Sequence, residues 1–307
     1  MRVSKQFCVG CALGLLLHGT SMAHEGVTWP LPQVPDPALI TIDGNDDDWD
    51  WFDPQFVLQQ GDFFDREMFA VDAADYDFTL KVAWSPPPDN CWYVFMRISD
   101  DTLKVEYDDP LKWWQDDSVQ ITVDADHSGG SIYGFEREEL VNGQRLYARA
   151  VPPAGQLLLP NRRAGFMDQH TDPYMMEFVW IMEQPYYEID WQIQPEEAGN
   201  GTTNVSYTFE WKAAMWDTLG ASPKTSVRHV FEDWDVVHIG FRMLDADRPG
   251  GGRKHSMYLR GGHPHQDRNA DRMPDFLAIP VGYEKTIADS IWSRTINYDD
   301  RRRDAGP

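Results

Sequence analysis

The feature that most constrains this chain is a hydrophobic period of two. Ser118-Val119-Gln120-Ile121-Thr122-Val123 alternates strictly, with Val119, Ile121 and Val123 on one face and Ser118, Gln120 and Thr122 on the other. Such a run makes a strand with one face in a core and the other available for binding. Comparable β-rich runs cover Leu39 to Asp43, Asp77 to Ser85, Cys91 to Ser99, Arg145 to Val151, Met176 to Met182, Tyr186 to Ile193, Val205 to Lys212, Val236 to Leu244 and His255 to Arg260. Trp92-Tyr93-Val94-Phe95-Met96 is apolar on both faces, as a central strand covered on both sides would be. Helical periodicity is nearly absent, apart from a turn around Ala213 to Leu219. Pro86-Pro87-Pro88, Pro152-Pro153, Gly199-Asn200-Gly201 and Pro249-Gly250-Gly251-Gly252 read as loops. Short strands in this number predict an all-β sandwich or jelly roll.

Composition narrows the partners. With 50 Asp+Glu against 27 Lys+Arg the formal charge is −23. An acidic field with no basic stripe excludes nucleic acid and anionic membranes, and leaves cations and neutral ligands open. Arg2 and Lys5, an apolar run from Phe7 to Leu17, and Ser21-Met22-Ala23 follow the order of a secretory signal. Residues 1–23 are therefore read as a signal peptide, and the mature chain as soluble and exported to the periplasm, the cell surface or the medium. No stretch approaches the roughly 20 apolar residues of a transmembrane helix. Cys8 and Cys11 leave with the signal, and Cys91 alone cannot form an internal disulfide. The fold must then be held by its core alone or with bound metal. Cys91 itself, in an apolar run, reads as a buried, inert thiol. Residues 24–37 read as an extended lead-in, 38–283 as the sandwich, and 284–307 as a solvated tail.

Two acidic loops have the spacing of hard-cation ligands. Asp124-Ala125-Asp126-His127-Ser128-Gly129 puts oxygen side chains at positions one, three and five and glycine at six. The twelfth position is Phe135, with Glu136 one residue late, so this is no EF-hand. Asp124, Asp126 and Ser128 could ligate calcium, or form an acidic hairpin turn. Asn45 and Asp47 belong to a second such cluster, whose packed carboxylates repel unless a cation or solvent relieves them. His263-Pro264-His265 with Asp267 offers imidazole and carboxylate to a transition metal, or is a solvated loop. His24, exposed by cleavage, could chelate copper. No G-x-S-x-G, H-E-x-x-H or phosphate-cradling loop is present, so the chain reads as a non-enzyme.

Three segments in order resemble the family 9 carbohydrate-binding modules and their DOMON-like relatives. They are Ile42-Asp43-Gly44 followed by acids and Trp49; the Leu80 to Trp84 and Trp92 to Asp101 strands followed by Trp114-Gln115-Asp116-Asp117-Ser118-Val119-Gln120-Ile121; and Ile239-Gly240-Phe241 with Asp245-Ala246-Asp247. The resemblance spans about residues 39–282, with 127–200 as a long insertion. It implies a jelly-roll or immunoglobulin-like β-sandwich of two antiparallel sheets, often with structural calcium, and an aromatic-walled groove for an oligosaccharide or polysaccharide. By position Trp114, beside Trp113, would be one wall, unless both simply cover the sandwich edge. Gln120 stands where the family often has a glutamate, and Arg145, near Tyr147, would be the arginine that meets sugar hydroxyls. The second wall, a tryptophan in the family's last loop, is missing from His263 to Phe276. Trp216, Trp234 or Tyr258 would have to replace it. Two other readings stand beside sugar binding. Relatives with this sandwich, such as the gamma subunit of ethylbenzene dehydrogenase, carry haem b on axial Met with His or Lys. A scaffold domain could also keep the fold without a ligand.

Overall fold

In the computed structural model, residues 28–66, 69–106, 114–133, 137–151, 155–156, 178–247 and 254–283 are described. In chain order the strands are β1 (Thr28–Pro32), β2 (Leu58–Gln59), β3 (Phe63–Asp65), β4 (Tyr76–Trp84), β5 (Trp92–Thr102), β6 (Ser118–Asp124), β7 (Gln144–Ala148) and β8 (Ala150–Val151). They continue as β9 (Gly155–Gln156), β10 (Tyr187–Gln194), β11 (Thr203–Ala213), β12 (Trp216–Thr218), β13 (Val227–Arg228), β14 (Val236–Asp245), β15 (His255–Leu259) and β16 (Asp275–Ile279). The α-helix among the described residues, α1, is short, Arg137–Val141. None of them forms a helix long and apolar enough to cross a membrane.

Two sheets carry the architecture. In the first, β14 pairs along one edge with β6, which pairs with β7; its other edge takes β16 and then β15, followed outward by β1 and β3. The second has the order β10-β11-β5-β4-β2. All pairs within them are antiparallel except β1 with β16. The expected sandwich of antiparallel sheets is therefore present, with one parallel edge. That edge is made by residues 28–32, which read as a lead-in; Thr28 stands opposite Asp275 and Pro32 opposite Ile279, so these residues are part of the sheet. The 127–200 stretch, expected as an insertion, likewise supplies β7 to the first sheet and β10 to the second. Residues 1–23 and 284–307 lie outside the described residues.

The period of two fills the core. Phe78, Leu80 and Val82 of β4 and Val94, Met96 and Ile98 of β5 meet Val119, Ile121, Ile239 and Phe241 of the first sheet in one apolar cluster. The opposite face of β5 is apolar too. Cys91, Tyr93 and Phe95 pack there against Val34, Trp49, Phe52 and Phe56, which close the second sheet from outside. β5 is thus the doubly covered central strand expected from its composition. Burial and the charge of Asp89 push the Cys91 thiol up to about 11, which leaves it protonated and unreactive.

A buried carboxylate holds this outer layer. Glu210 of β11, fully buried, accepts Trp49 Nε1 at 2.8 Å, Asp43 N at 2.9 Å and Gly44 N at 3.0 Å. The Ile-Asp-Gly and Trp49 elements are therefore two ends of one latch. Gly44 has φ +80°, and a Cβ there would lie 2.8 Å from the Trp191 carbonyl carbon, so only glycine lets the turn lie on β10. The latch also explains why Leu39 to Asp43 forms no strand. Asp36 caps a 3-10 turn at Pro37–Leu39, Thr41 N goes to Asp48 Oδ2 at 2.6 Å, and Asp43 N goes to Glu210. Of the run Met176 to Met182, residues 176–177 lie outside the described residues, and Val179–Met182 forms a 3-10 turn capped by backbone rather than a strand. Around Ala213 to Leu219, expected as a helical turn, the chain forms β12, paired with β13.

Glu210→Gln would turn an amide donor toward the Trp49 or backbone N–H groups, and should cost about 1–3 kcal/mol in urea unfolding. Gly44→Ala should cost a similar amount, about 1–3 kcal/mol, from backbone strain. A pH dependence follows from His229, which lies 2.8 Å from Asp217 and 2.9 Å from Asp235. Burial lowers its pKa, but the two carboxylates outweigh it and the net shift is upward. Its contribution is full below the unfolded value near 6.5 and is lost as pH rises through the raised folded value. Thermal scans of His229→Gln should show a shallower decline above pH 6.5 than the parent.

Candidate functional site

The outer face of the first sheet gathers the residues of chemical interest. With Val119, Ile121, Val123, Ile239, Phe241 and Met243 turned inward, Gln120, Thr122, Gly240 and Arg242 fall on the other side. Register then lays down a row. Tyr147 stands opposite Gln120, Gln120 opposite Arg242, Arg242 opposite Tyr258, and Tyr258 opposite Phe64. Arg242 Nη1 donates to Gln120 Oε1 at 3.3 Å and its Nε to Ser256 Oγ at 2.9 Å. Its guanidinium lies 5.2 Å from the Tyr258 ring, which stacks on Phe64 at 6.0 Å and 28°. Beside the row, Arg145 lies 4.4 Å from the Tyr133 ring and 5.7 Å from the Tyr147 ring, and Arg268 lies 5.2 Å from Tyr133.

One carboxylate faces this group. Asp267 accepts the Tyr258 hydroxyl at 3.3 Å and lies 3.6 Å from Arg242 Nη1. Burial would raise its pKa, but Arg242, Arg145 and Arg268 hold it below the ordinary carboxylate range. Gln266 packs on the sheet beside it. Its Nε2 donates to Leu259 O at 3.1 Å, and a Cβ on Gly240 would come within 2.6 Å of Thr122 Oγ1 and 2.9 Å of Gln266 Oε1. Glycine at 240 lets the 261–273 loop lie flat.

This loop corrects one expectation. The outer face of β6, read as open, is buried, with Gln120 and Thr122 each 1% exposed. Solvent reaches the row's margins at Phe64 and Tyr133, both half-buried. Gln120 Nε2 is buried without a hydrogen-bond partner, so the row holds a donor that no protein group uses.

The structure brings Gln120, Arg145 and Tyr147 together as the sequence reading grouped them. Trp114 is half-buried just ahead of β6, at the end of the sheet where Ser118 pairs with Leu244, and Trp113 lies outside the described residues. Of the three replacement aromatics, Tyr258 is in the row; Trp216 packs against Trp180 and Tyr186, and Trp234 is exposed on a turn with φ +68°. Arg242, Phe64 and Tyr133 were not singled out, and Asp267 was named only as a metal ligand beside His263 and His265. The alternation of Ile239, Phe241 and Met243 does put Arg242 on the outer face, but only the pairing of β14 with β6 places it beside Gln120.

Of the predicted calcium residues, Asp124, Asp126 and Ser128 have protein partners. Asp124 accepts His238 Nδ1 at 2.8 Å and Gly129 N at 2.9 Å, with Ser128 Oγ at 3.4 Å, and Asp126 accepts Ser128 N at 3.1 Å. Burial raises the Asp124 pKa, but His238 and Gly129 bring it below the ordinary value. His238 Nε2 lies 3.3 Å from Asp275, which His127 also meets at 3.0 Å. Asn45 and Asp47 are exposed, while Asp46 between them pairs with Arg97 at 2.9 Å and Lys81 at 3.6 Å. Those cations offset the charge of Asp46, while burial together with Asp47 and Asp43 still raises the Asp48 pKa. His263, His265 and Asp267 do not gather about one point, because Asp267 is engaged by Tyr258 and Arg242. For the haem reading, Met96, Met215, Met243 and Met257 all lie in the apolar core.

Residues 42–151 match the model of the carbohydrate family 9 binding domain-like family. That segment holds the Gly44 latch and β4 to β7, and with them Gln120, Arg145 and Tyr147. No curated protein matches the chain. Among solved structures, a family 9 carbohydrate-binding module from Caldicellulosiruptor kristjanssonii in complex with cellotriose aligns over 82% of this chain and 94% of its own, with 13% identity and a TM-score of 0.52. A module of that family from the same organism, with glucose, aligns over 84% and 96% at 13% identity and a TM-score of 0.49. The resemblance read from the sequence therefore holds. The chain carries a family 9-like segment on an all-β sandwich of the kind seen in the cellotriose-bound module.

Proposed function

We propose that the mature chain is an exported, non-catalytic carbohydrate-binding protein whose site is the row Tyr147, Gln120, Arg242 and Tyr258, with Arg145 beside it. The observation that carries this reading is Gln120. Its Oε1 is taken by Arg242 while its buried Nε2 lacks a partner, and a sugar hydroxyl is an acceptor of the right size and polarity. Phe64 and Tyr133, half-buried at the row's margins, offer rings to the apolar C–H faces of a pyranose, and guanidinium groups supply further donors to its hydroxyls. The segment matched by the family model contains Gln120, Arg145 and Tyr147, and the cellotriose held by the similar module makes gluco-oligosaccharides the first ligands to test.

Binding is favoured over hydrolysis by the electrostatics of the row. Glycoside hydrolysis uses two carboxyl groups, one of them able to give up a proton near neutral pH. Among the described residues the row holds Asp267, which its arginines keep ionised. Export rests on the Arg2 to Ala23 pattern. Trp114 enters as a second contact to be tested at the end of the same strand.

Isothermal titration of the mature protein, with calcium present, against cello-oligosaccharides and soluble polysaccharides should give saturable binding to one glycan class. Gln120→Leu should weaken it by about 10- to 100-fold, corresponding to about 1.4–2.7 kcal/mol, with an unchanged circular dichroism spectrum. Trp114→Ala measures whether that ring is a wall of the site. If no glycan binds, the function is wrong; if Gln120→Leu binds as tightly as the parent, the site lies elsewhere.

A further inference from the structure

His238 has an acidic neighbour on each side. It stands opposite Asp124 of β6 and opposite Asp275 of β16, so the register sets carboxylate, imidazole and carboxylate in one line across three strands. A second imidazole folds onto this line. The turn after β6 is closed by Gly129 N donating to Asp124 Oδ2 at 2.9 Å and Asn142 Nδ2 donating to Gly129 O at 2.6 Å. It lays the His127 ring on the His238 ring, with centroids 3.9 Å apart and planes at 30°. His127 holds φ +54° there, a left-handed backbone that is uncommon outside glycine and is kept where the surroundings fix it.

Three ligand atoms converge as a result. Those of His127, His238 and Asp275 lie within 4.8 Å of one another. Asp275 Oδ1 is 3.0 Å from His127 Nε2 and 3.3 Å from His238 Nε2. Ligands about 2.0–2.2 Å from a tetrahedral ion stand about 3.3–3.6 Å from one another, so one of these separations already suits a bound set and the other must open by a few tenths of an ångström. The supporting partner is in place as well. Asp124 Oδ2 lies 2.8 Å from His238 Nδ1, and a carboxylate only accepts, so Nδ1 carries a proton and Nε2 is the atom turned toward the ion. A carboxylate behind a histidine in this way fixes the tautomer and the ring orientation of a metal ligand.

We propose that His127 Nε2, His238 Nε2 and an Asp275 oxygen bind one zinc ion, with Asp124 orienting His238 and water in the remaining position. Two imidazoles with one carboxylate suit zinc and its transition-metal neighbours, whereas calcium takes a shell of oxygens. His238 is fully buried and the His127 side chain is 31% exposed, which gives the ion a fixed floor and an open side by which to enter. Binding asks the two stacked rings to part by about 1 Å, which rotation of the His127 side chain on its turn supplies. The ion joins the turn after β6 to β14 and β16, so only the folded chain presents the full set. It shares no residue with the Gln120 row, and either assignment can fail without the other.

The test is zinc titration of tag-free, EDTA-treated mature protein by calorimetry and thermal scanning, with cobalt(II) as a coloured substitute for zinc. The expected result is one site per chain, a rise in Tm of about 5–10 °C at a hundredfold excess of zinc over Kd, and visible cobalt bands that zinc abolishes and calcium leaves unchanged. His127→Ala, at a partly exposed position, should keep the parent's circular dichroism spectrum and bind zinc more than about 100-fold more weakly, because it removes a ligand. Asp124→Asn removes only the support, and should weaken zinc by about 10- to 100-fold with the cobalt bands retained. His24→Ala and the double variant His263→Ala, His265→Ala should respond as the parent does. No zinc response in the parent would overturn the proposal, as would a full response in His127→Ala. A response lost in His24→Ala or in the 263/265 double variant, or cobalt displaced by an equal concentration of calcium, would also overturn it.

Discussion

β14 has two faces, and the protein depends on both at once. Val237, Ile239, Phe241 and Met243 face the second sheet and complete the core, while Gly240 and Arg242 between them face outward. The pairing of β14 with β6 sets which outward residues meet. With His238 opposite Asp124 and Leu244 opposite Ser118, Arg242 must stand beside Gln120. A slip of one residue would put Arg242 into the core and dismantle the row, so core burial enforces the geometry of the polar face. The same register delivers His238 to Asp124 at one end of the strand and, just past the other end, Ala246 N to Asp117.

The two sheets treat their outer faces differently. The second is closed by an apolar layer, Trp49, Phe52 and Phe56, latched through Glu210. A glutamate in that place works because its oxygens meet three N–H donors, and burial still pushes it up to about 7. The first sheet is covered by polar and aromatic side chains, whose groups satisfy one another apart from a few oriented atoms. The first sheet's outer face is therefore the one proposed to carry recognition, while an apolar layer closes the second.

Much of this was legible in the sequence where it depended on neighbours along the chain. Val119, Ile121 and Val123 announced their strand, Trp92 to Met96 announced a central one, and the Asp-Ser-Val pattern with Gln120, Arg145 and Tyr147 marked the face that carries the row. What could not be read was long-range pairing. Nothing local in Arg242 or Tyr258 says that each will lie across from a strand distant in sequence. The acidic loops show the other limit. The spacing of Asp124, Asp126 and Ser128 counts oxygens but does not reveal that His238 and backbone amides meet Asp124 Oδ2 and Asp126 Oδ1.

The account's central claim is that the outer face of the first sheet is where a glycan is held. The most direct measurement is a crystal structure of the mature protein with cellotriose or the best glycan from titration. The account predicts a sugar hydroxyl within about 3 Å of Gln120 Nε2 and a pyranose ring against Phe64 or Tyr133, the half-buried rings at the row's margin. A sugar bound against the second sheet or a distant loop, with Gln120 Nε2 still lacking a partner, would contradict it.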